Sequence, residues 1–242
     1  MIEANEQSFL TKLWGKISDF WKKEIDVYFV SGMCYNCKVF DGLTLPKGYQ
    51  RHYLEWHIPD PKDSFHDYIL KMAENINTKR PFVLIGYSLG GVAVQEMLKF
   101  LCPVKSIIIS SFKSAEEAPT IFYVARKTQV LRRTPLSVYS TDFVTKAFNK
   151  VIYDLPALEL ADYMTIVDPV YIKWAAIQIT EWLPENSITY KNMYHIHGTE
   201  DQIFPYHKIE NAYPIEGGDH LMLVKKTDEM SHLLNSILLK KD

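Results

Sequence analysis

The segment FVLIGYSLGGVAVQ, residues 82–95, constrains the fold more than any other part of the sequence. An uninterrupted apolar run, typical of a strand covered on both faces, leads within a few residues into an apolar helical pattern. A serine at so sharp a turn takes a strained conformation, and the residues two positions away on either side come close together. Gly86 and Gly90 meet that requirement because they have no side chain to collide. The pattern therefore predicts an outward Ser88 hydroxyl and a Leu89 amide at a helix N-terminus.

Strands and helices alternate along much of the rest of the chain. Apolar, β-rich runs lie at 26–31, 53–58, 82–86, 106–110, 192–197 and 212–215. Helical patterns lie at 63–77, 88–101 and 227–239. Several of the apolar runs are continuous rather than alternating, which favours strands that are buried on both faces. The sequence therefore predicts an α/β fold, with a mainly parallel central sheet flanked by helices.

Residues 112–184 interrupt this alternation with a long block that contains no convincing strand. Helical patterns in the block lie at 136–151, 155–164 and 170–182. Asp168 followed by Pro169 is typical of a helix N-terminus, with the acid as the N-cap. The block is too long for a simple connection between two elements. We interpret it as a helical cap, inserted into a core domain that consists of residues 1–111 and 185–242.

The beginning of the chain and its composition narrow the class of protein. Residues 1–24 are predicted to form an amphipathic helix, and they lack the uninterrupted apolar core of a secretory signal. No apolar run approaches the roughly 20 residues that span a bilayer. The net charge of −2 gives no electrostatic reason to expect nucleic acid as a partner. With three cysteines in the chain, we expect a cytoplasmic protein, whose oligomeric state the sequence does not determine.

A serine hydroxyl is a weak nucleophile, so Ser88 needs a base. The segment HGTED, residues 197–201, follows one predicted strand, and GGDH, residues 217–220, follows the next. Because the carboxyl ends of parallel strands lie at one edge of a sheet, both segments are expected near Ser88. The chain order of serine, acid and histidine predicts Ser88 as the nucleophile, His220 as the base and Asp201 as the orienting acid.

The position of the acid leaves two weaker alternatives open. Glu200 lies beside Asp201, and Glu116 follows the earlier strand at 106–110.

A separate pattern is the pair His195 and His197, which share one face of a strand. No further ligand completes a metal site with them, so we expect a structural pair and no metal.

A C-x-x-C pattern offers a different chemistry. Cys34 and Cys37 follow a predicted strand, which is where a thioredoxin-like thiol pair lies. A thiol oxidoreductase is therefore an alternative function, although it leaves the rest of the chain unexplained.

The motifs GYSLGG, HGTED and GGDH resemble those of the α/β-hydrolase superfamily, and the resemblance covers most of the chain. The chain looks most like small bacterial members of uncertain substrate. The resemblance implies the α/β-hydrolase fold and a serine hydrolase without a cofactor, which cleaves a small ester or thioester through an acyl-enzyme. It also leaves open a catalytically weak binding or receptor protein, because a fold does not by itself determine a function.

The loop after the first strand, residues 29–33, matches the place where the superfamily has His-Gly followed by an apolar residue. The resemblance implies that the amide of that apolar residue, Met33, is the second oxyanion donor beside Leu89. Two features depart from the superfamily pattern. Ser31 takes the place of the histidine, and the usual first hairpin is replaced by the predicted N-terminal helix.

Overall fold

Six strands form one sheet in the computed structural model, which describes residues 24–60, 62–139, 162–184 and 192–240. The strands are β1 (Ile25–Val30), β2 (Tyr49–Leu54), β3 (Phe82–Tyr87), β4 (Lys105–Ile109), β5 (Met193–Gly198) and β6 (Tyr213–Ile215). Their order is β2-β1-β3-β4-β5-β6, and each neighbouring pair is parallel. The prediction of an α/β fold with a mainly parallel sheet is confirmed.

Helices cover both faces of this sheet. The α-helices are α1 (Phe65–Ala73), α2 (Leu89–Met97), α3 (Thr120–Thr128), α4 (Val130–Arg133), α5 (Pro169–Glu181), α6 (Met222–Lys225) and α7 (Thr227–Leu239). Short 3-10 helices lie at Cys37–Phe40, Leu136–Tyr139 and Tyr206–Lys208. One hydrophobic cluster joins the sheet to α1, α2 and α5, and a second joins it to α6 and α7.

Strand β1 shows why the central strands have continuous apolar sequences. Tyr28 and Val30 lie in the cluster on one face of the sheet, while Val27 and Phe29 lie in the cluster on the other. All four side chains are buried. Complete burial of an apolar side chain of this size contributes about 1.5–3 kcal/mol. Both faces of β1 therefore contribute to the core.

The second strand was predicted wrongly at both ends. β2 covers Tyr49–Leu54 rather than residues 53–58. Within the described residues it lies at the edge of the sheet, next to β1, and most of its side chains are partly exposed, so its sequence lacks the apolar run of a central strand. Beyond Leu54 the chain leaves the sheet, and the Trp56 indole donates a hydrogen bond to the Ser31 carbonyl at 3.0 Å.

Two predicted helices are shorter in the structure. Helix α1 begins only after Ser64, because the Ser64 hydroxyl accepts from the Asp67 amide at 3.1 Å and the Asp67 carboxylate accepts from the Ser64 amide at 3.2 Å. This reciprocal cap fixes the first turn of the helix. Helix α2 ends at Met97 rather than at residue 101.

In residues 112–184, helix α5 matches the helical pattern predicted at 170–182, whereas no pattern predicted α3 and α4. Helix α5 begins at Pro169, and the Asp168 carboxylate caps it by accepting from the Val170 amide at 2.8 Å. An ion pair of 2.5 Å between Arg132 and Glu181 joins α4 to α5.

Some predicted elements lie outside the described residues. These are the amphipathic helix at 1–24 apart from its last residue, most of the helix at 136–151 and most of the helix at 155–164. The division into a core domain and a cap at 112–184 stays a prediction.

Candidate active site

Ser88 lies at the turn between β3 and α2 with a backbone that L-residues rarely adopt. Its φ is +53° and its ψ is −116°. A Cβ atom at Gly86 would collide with the Gly90 carbonyl, and a Cβ atom at Gly90 would collide with the Val30 carbonyl. Both glycines are therefore required by close backbone approach, as the sequence pattern predicts.

Hydrogen bonds with the last residue of β4 and with Ser111, which follows that strand, hold this turn in place. The Ser88 amide donates to the Ile109 carbonyl at 2.9 Å. The Ser111 hydroxyl donates to the Ser88 carbonyl, also at 2.9 Å. No local sequence pattern predicts this role of Ser111. Because these contacts restrain the peptide groups before and after Ser88, they maintain the strained conformation of the turn.

The structure brings the three predicted residues into one hydrogen-bonded series. Nε2 of His220 lies 3.1 Å from Oγ of Ser88. Nδ1 of the same imidazole lies 2.8 Å from Oδ2 of Asp201. All three residues are buried, and Ser88 is 7% exposed. A serine, a histidine and a carboxylate within these distances have the geometry of an activated nucleophile.

The loops that carry Asp201 and His220 follow β5 and β6, at the same edge of the sheet as Ser88. They lie in direct backbone contact. The Glu200 amide donates to the Gly218 carbonyl at 2.9 Å, and a Cβ atom at Gly198 would collide with that carbonyl. This contact fixes the separation of the two loops, and with it the separation of the carboxylate from the imidazole.

The environment of Asp201 favours its charged form. Burial would raise its pKa, but the neighbouring His220 and the hydrogen bond from it hold the pKa of Asp201 below the ordinary value. The other carboxylate oxygen accepts from the amides of Ile203 at 2.8 Å and Phe204 at 3.0 Å. Hydrogen bonds to the ionised form act in the same direction. Asp201 is therefore an anion that is positioned to orient an imidazole.

The two alternative acids lie elsewhere. Glu116 and Glu200 are both exposed, whereas Asp201 is buried against His220. The carboxylate that contacts the imidazole is that of Asp201.

Tyr87 is a further contact of the site that the sequence did not reveal. Its hydroxyl donates to the His220 carbonyl at 2.9 Å, and its ring centroid lies 5.4 Å from that of the imidazole. Tyr87 and His220 are far apart in the chain, so no local pattern encodes the contact. The hydrogen bond holds the backbone of His220 beside the last residue of β3, which directly precedes Ser88.

The two predicted oxyanion donors lie in different settings. Leu89 is the first residue of α2, where amides lack acceptors within the helix, and its side chain is buried in the core. Met33 and Gly32 line the cavity beside Ser88, and a Cβ atom at Gly32 would lie 3.3 Å from Cβ of Ser88. Ser31, which stands where the sequence resemblance led us to expect a histidine, donates from its hydroxyl to the Tyr35 carbonyl at 2.6 Å and so shapes this loop.

A cavity of about 300 Å³ opens onto Ser88 and His220. The core side of the cavity is lined by Gly32, Met33, Tyr35, Tyr87, Ser88, Ile203, Phe204 and His220, and the insertion side by Ile121, Phe122, Ala125, Leu131, Ala176, Ile179 and Thr180. None of these side chains is a carboxylate, a lysine or an arginine. The lining therefore favours an uncharged, largely apolar ligand.

The environment of the C-x-x-C pair opposes thiol chemistry. Burial raises the pKa of Cys34 to about 12, and burial together with the nearby Glu55 raises that of Cys37 to about 12. A reactive thiol needs a lowered pKa and access to solvent. Both thiols are unpaired and buried, and neither residue lines the cavity.

The pair of histidines on β5 is also buried. Nε2 of His195 lies 3.2 Å from Nδ1 of His197. Among the residues that the structure describes, no group of three or more histidine, cysteine and acidic side chains is arranged to bind a metal ion.

Comparison with known proteins reveals structural likeness without sequence likeness. No family model and no curated protein matches the sequence. MenH from S. aureus is similar to this chain with a TM-score of 0.68 and 15% identity, over 89% of this chain and 94% of that one. A lipase-esterase related protein from Clostridium acetobutylicum has a TM-score of 0.64 and 17% identity, over 89% of this chain and 95% of that one.

A thermophilic esterase from Thermogutta terrifontis is similar to the same degree, with a TM-score of 0.63, 13% identity, and coverage of 89% of this chain and 90% of that one. At such identities the likeness establishes the fold alone.

No helix within the described ranges is sufficiently long and apolar to cross a membrane.

Proposed function

We propose that this chain, which has the α/β-hydrolase fold, is a serine hydrolase that cleaves a small, uncharged ester or thioester through an acyl-enzyme. One observation carries the proposal. The hydroxyl of Ser88, the imidazole of His220 and the carboxylate of Asp201 form a continuous hydrogen-bonded series at the end of an apolar cavity. The esterase and lipase-related proteins among the structural neighbours support the same reaction class.

The first half of the reaction acylates Ser88. As Oγ attacks the acyl carbonyl, its proton passes to Nε2 of His220, and the carbonyl oxygen becomes an oxyanion. The amides of Leu89 and Met33 are the donors that we assign to this oxyanion. Removal of one such donor costs about 10²–10³ in rate. The tetrahedral intermediate then releases the alcohol or thiol, which takes the proton from His220.

The second half returns the enzyme to its starting state. Water gives a proton to His220 and attacks the acyl carbon, and Ser88 regains its proton as the carboxylic acid leaves. Asp201 stays ionised throughout, in agreement with its lowered pKa, and it stabilises the imidazolium that forms twice in each cycle.

The cavity supports an apolar acyl or alcohol group as the part of the substrate that is recognised. Its volume of about 300 Å³ is at the small end of ligand sites. An ionised group of the substrate would find no opposite charge among the described lining residues, so its desolvation would be uncompensated. We propose that residues 112–184 act as a cap that supplies one wall of this cavity.

The unpaired cysteines support a reducing compartment such as the cytoplasm.

A series of p-nitrophenyl esters of increasing acyl length tests the proposal. We expect the wild-type protein to hydrolyse short members of the series, and Ser88→Ala to lose at least about 10³-fold in kcat while keeping its fold. Circular dichroism of both proteins provides the control for folding. A Ser88→Ala rate within tenfold of wild type would contradict the assignment of the nucleophile. Absence of covalent labelling by a fluorophosphonate would instead favour the binding or receptor protein.

A further inference from the structure

Two buried histidines on β5 have no part in the mechanism above. His195 and His197 alternate along the strand, so they face the same side of the sheet. Their exposed fractions are 2% and 0%. An imidazole is costly to bury unless its nitrogens find partners. Here the ring nitrogens form a hydrogen-bonded series that runs from Lys113 through the two histidines to the Phe204 carbonyl.

The series begins at the side-chain ammonium group of Lys113. Nζ of Lys113 lies 3.3 Å from Nδ1 of His195, 2.6 Å from Oε1 of Glu117, and within hydrogen-bond distance of the Glu210 carbonyl. A lysine ammonium has donors and no acceptor. Nδ1 of His195 must therefore accept, which leaves the proton of the neutral ring on Nε2.

The inner end of the series is a carbonyl group. Nε2 of His197 lies 2.8 Å from the carbonyl oxygen of Phe204, which can only accept. His197 therefore carries its proton on Nε2, and its bare Nδ1 accepts from Nε2 of His195 at 3.2 Å. Both ends thus require the same tautomer, with the proton on Nε2 of each ring. Nε2 of His197 also lies 3.5 Å from Oδ2 of Asp201.

Burial favours the neutral form of both rings. Burial lowers the pKa of His195 well below its ordinary value, and the neighbouring His197 and Lys113 act in the same direction, against weaker opposition from the Ser111 carbonyl and Asp201. Burial also lowers the pKa of His197, although Asp201 opposes this effect. Neutral rings are what the directed series of hydrogen bonds requires.

We propose that His197, supported by His195 and Lys113, is a positioning residue that holds the turn of residues 201–204 so that Asp201 faces His220. The inference rests on the proposed function, since it concerns the acid of that catalytic series. The Phe204 carbonyl accepts from His197, while the Phe204 amide donates to Oδ1 of Asp201 at 3.0 Å. One peptide segment is therefore held by the histidine on one side and by the acid on the other.

Loss of this support would change the rate more than substrate binding. Neither histidine lines the cavity, and neither does Lys113. Without the hydrogen bond from His197, the turn can rotate and the carboxylate no longer points steadily at Nδ1 of His220. Such a misalignment lowers kcat and leaves KM nearly unchanged.

A matched pair of substitutions tests the proposal. In His197→Gln the side-chain amide nitrogen occupies the place of Nε2 and keeps the donor to the Phe204 carbonyl. The shorter side chain of His197→Asn reaches only the place of Nδ1, so it keeps the contact with His195 but loses that donor. We expect His197→Asn to lower kcat and the rate of Ser88 labelling by a fluorophosphonate at least about tenfold, with KM within twofold. We expect His197→Gln to stay within about threefold of wild type, as should the exposed control His207→Gln.

Two results would overturn the inference alone, with wild-type Ser88 still labelled. One is equal loss in the Asn and Gln variants, and the other is a kcat of His197→Asn within twofold of wild type. An unlabelled wild-type protein would instead overturn the proposed function together with the inference.

The wild-type protein offers a second test that needs no variant to fold. Nitrogen-15 NMR of the imidazoles should show the proton on Nε2 of both His195 and His197 at neutral pH. A proton on Nδ1 of His197 would contradict the series of hydrogen bonds, whatever the enzymatic activity.

Discussion

The strand-end loops and the helices α3, α4 and α5, which lie within the predicted insertion, line the same cavity, but they reach it in different ways. Backbone contacts fix the core side. Gly86, Gly90 and Gly198 lie where a single added carbon would strike a neighbouring carbonyl. The insertion side reaches the cavity through side chains such as Ile121, which is 70% exposed, and Phe122.

This difference leads us to propose a division of labour, in which the core side positions the catalytic groups and the insertion side contacts the substrate. We expect the core side to hold Ser88, His220 and Asp201 in a fixed geometry, because a misplacement of about 1 Å can cost about 10²-fold in rate. The insertion side supplies apolar surface whose shape can vary without disturbing those groups. Substitutions in the core should therefore change kcat, and substitutions in the insertion should change the preference for substrate length.

The largest effect is expected from Asp201→Asn on the core side. An amide in place of the carboxylate leaves the geometry nearly intact but no longer holds the reactive tautomer of His220, so kcat should fall about 10³–10⁴-fold. Glu200→Gln is the matched control, since Glu200 is exposed and should tolerate the change. Hydrolysis of p-nitrophenyl esters measures both. A severe loss in Glu200→Gln with a mild one in Asp201→Asn would show that the acid lies one residue earlier.

A smaller and more selective effect is expected from Ala125→Leu on the insertion side. Ala125 lines the cavity, so the longer side chain should exclude the end of a long acyl group. We expect kcat/KM to fall about tenfold for the longest ester that the wild type hydrolyses, and to stay within twofold for the shortest. Val124→Leu is the control, because Val124 is 49% exposed and does not line the cavity. A uniform loss over all esters would contradict the division of labour.

The free energy of unfolding should fall near pH 6 because of histidines on the core side, since residues 112–184 contain no histidine. Burial lowers the folded-state pKa of His195 and His197, whereas histidines in an unfolded chain titrate near pH 6.5. Below that pH the unfolded chain binds more protons than the folded one, so stability is lost as the pH falls.

The loss should approach about 1.4 kcal/mol per pH unit for each histidine. Urea unfolding between pH 7.5 and pH 5 measures it. His195→Gln should reduce this slope, while the exposed His207→Gln should reduce it less. Equal slopes in the wild type and both variants would mean that the buried rings are already charged in the folded state.

The smallest effect is expected from the double substitution Cys34→Ala and Cys37→Ala. Both thiols are buried, and their raised pKa values keep them protonated. The proposed oxyanion donors are backbone amides, so kcat should change less than tenfold, with Cys102→Ala as the control. A larger loss would give the C-x-x-C pair a catalytic part.

The same comparison explains which features the sequence predicts. The turn at Ser88 was predictable because Gly86 and Gly90 are required within one short segment, where sterics leave few alternatives. The placement of the loops that carry Asp201 and His220 at the same edge of the sheet as Ser88 follows from the direction of parallel strands. Both kinds of information are local or topological.

Other features depend on contacts between distant residues. The bonds from Tyr87 to His220 and from His197 to Phe204 cannot be deduced from spacing, since a buried tyrosine or histidine has many possible partners. The position of β2 was missed for a related reason, because an edge strand with exposed side chains has no strong apolar pattern.

Labelling with a fluorophosphonate tests the central claim most directly, because the reagent reports an activated serine without knowledge of the natural substrate. The native protein should form one covalent adduct, located on Ser88 by peptide mass spectrometry, and the adduct should not form after unfolding in urea. Ser88→Ala should remain unlabelled. Absence of an adduct on Ser88 in the native protein, or an adduct on another residue in its place, would contradict the claim that this serine is the nucleophile.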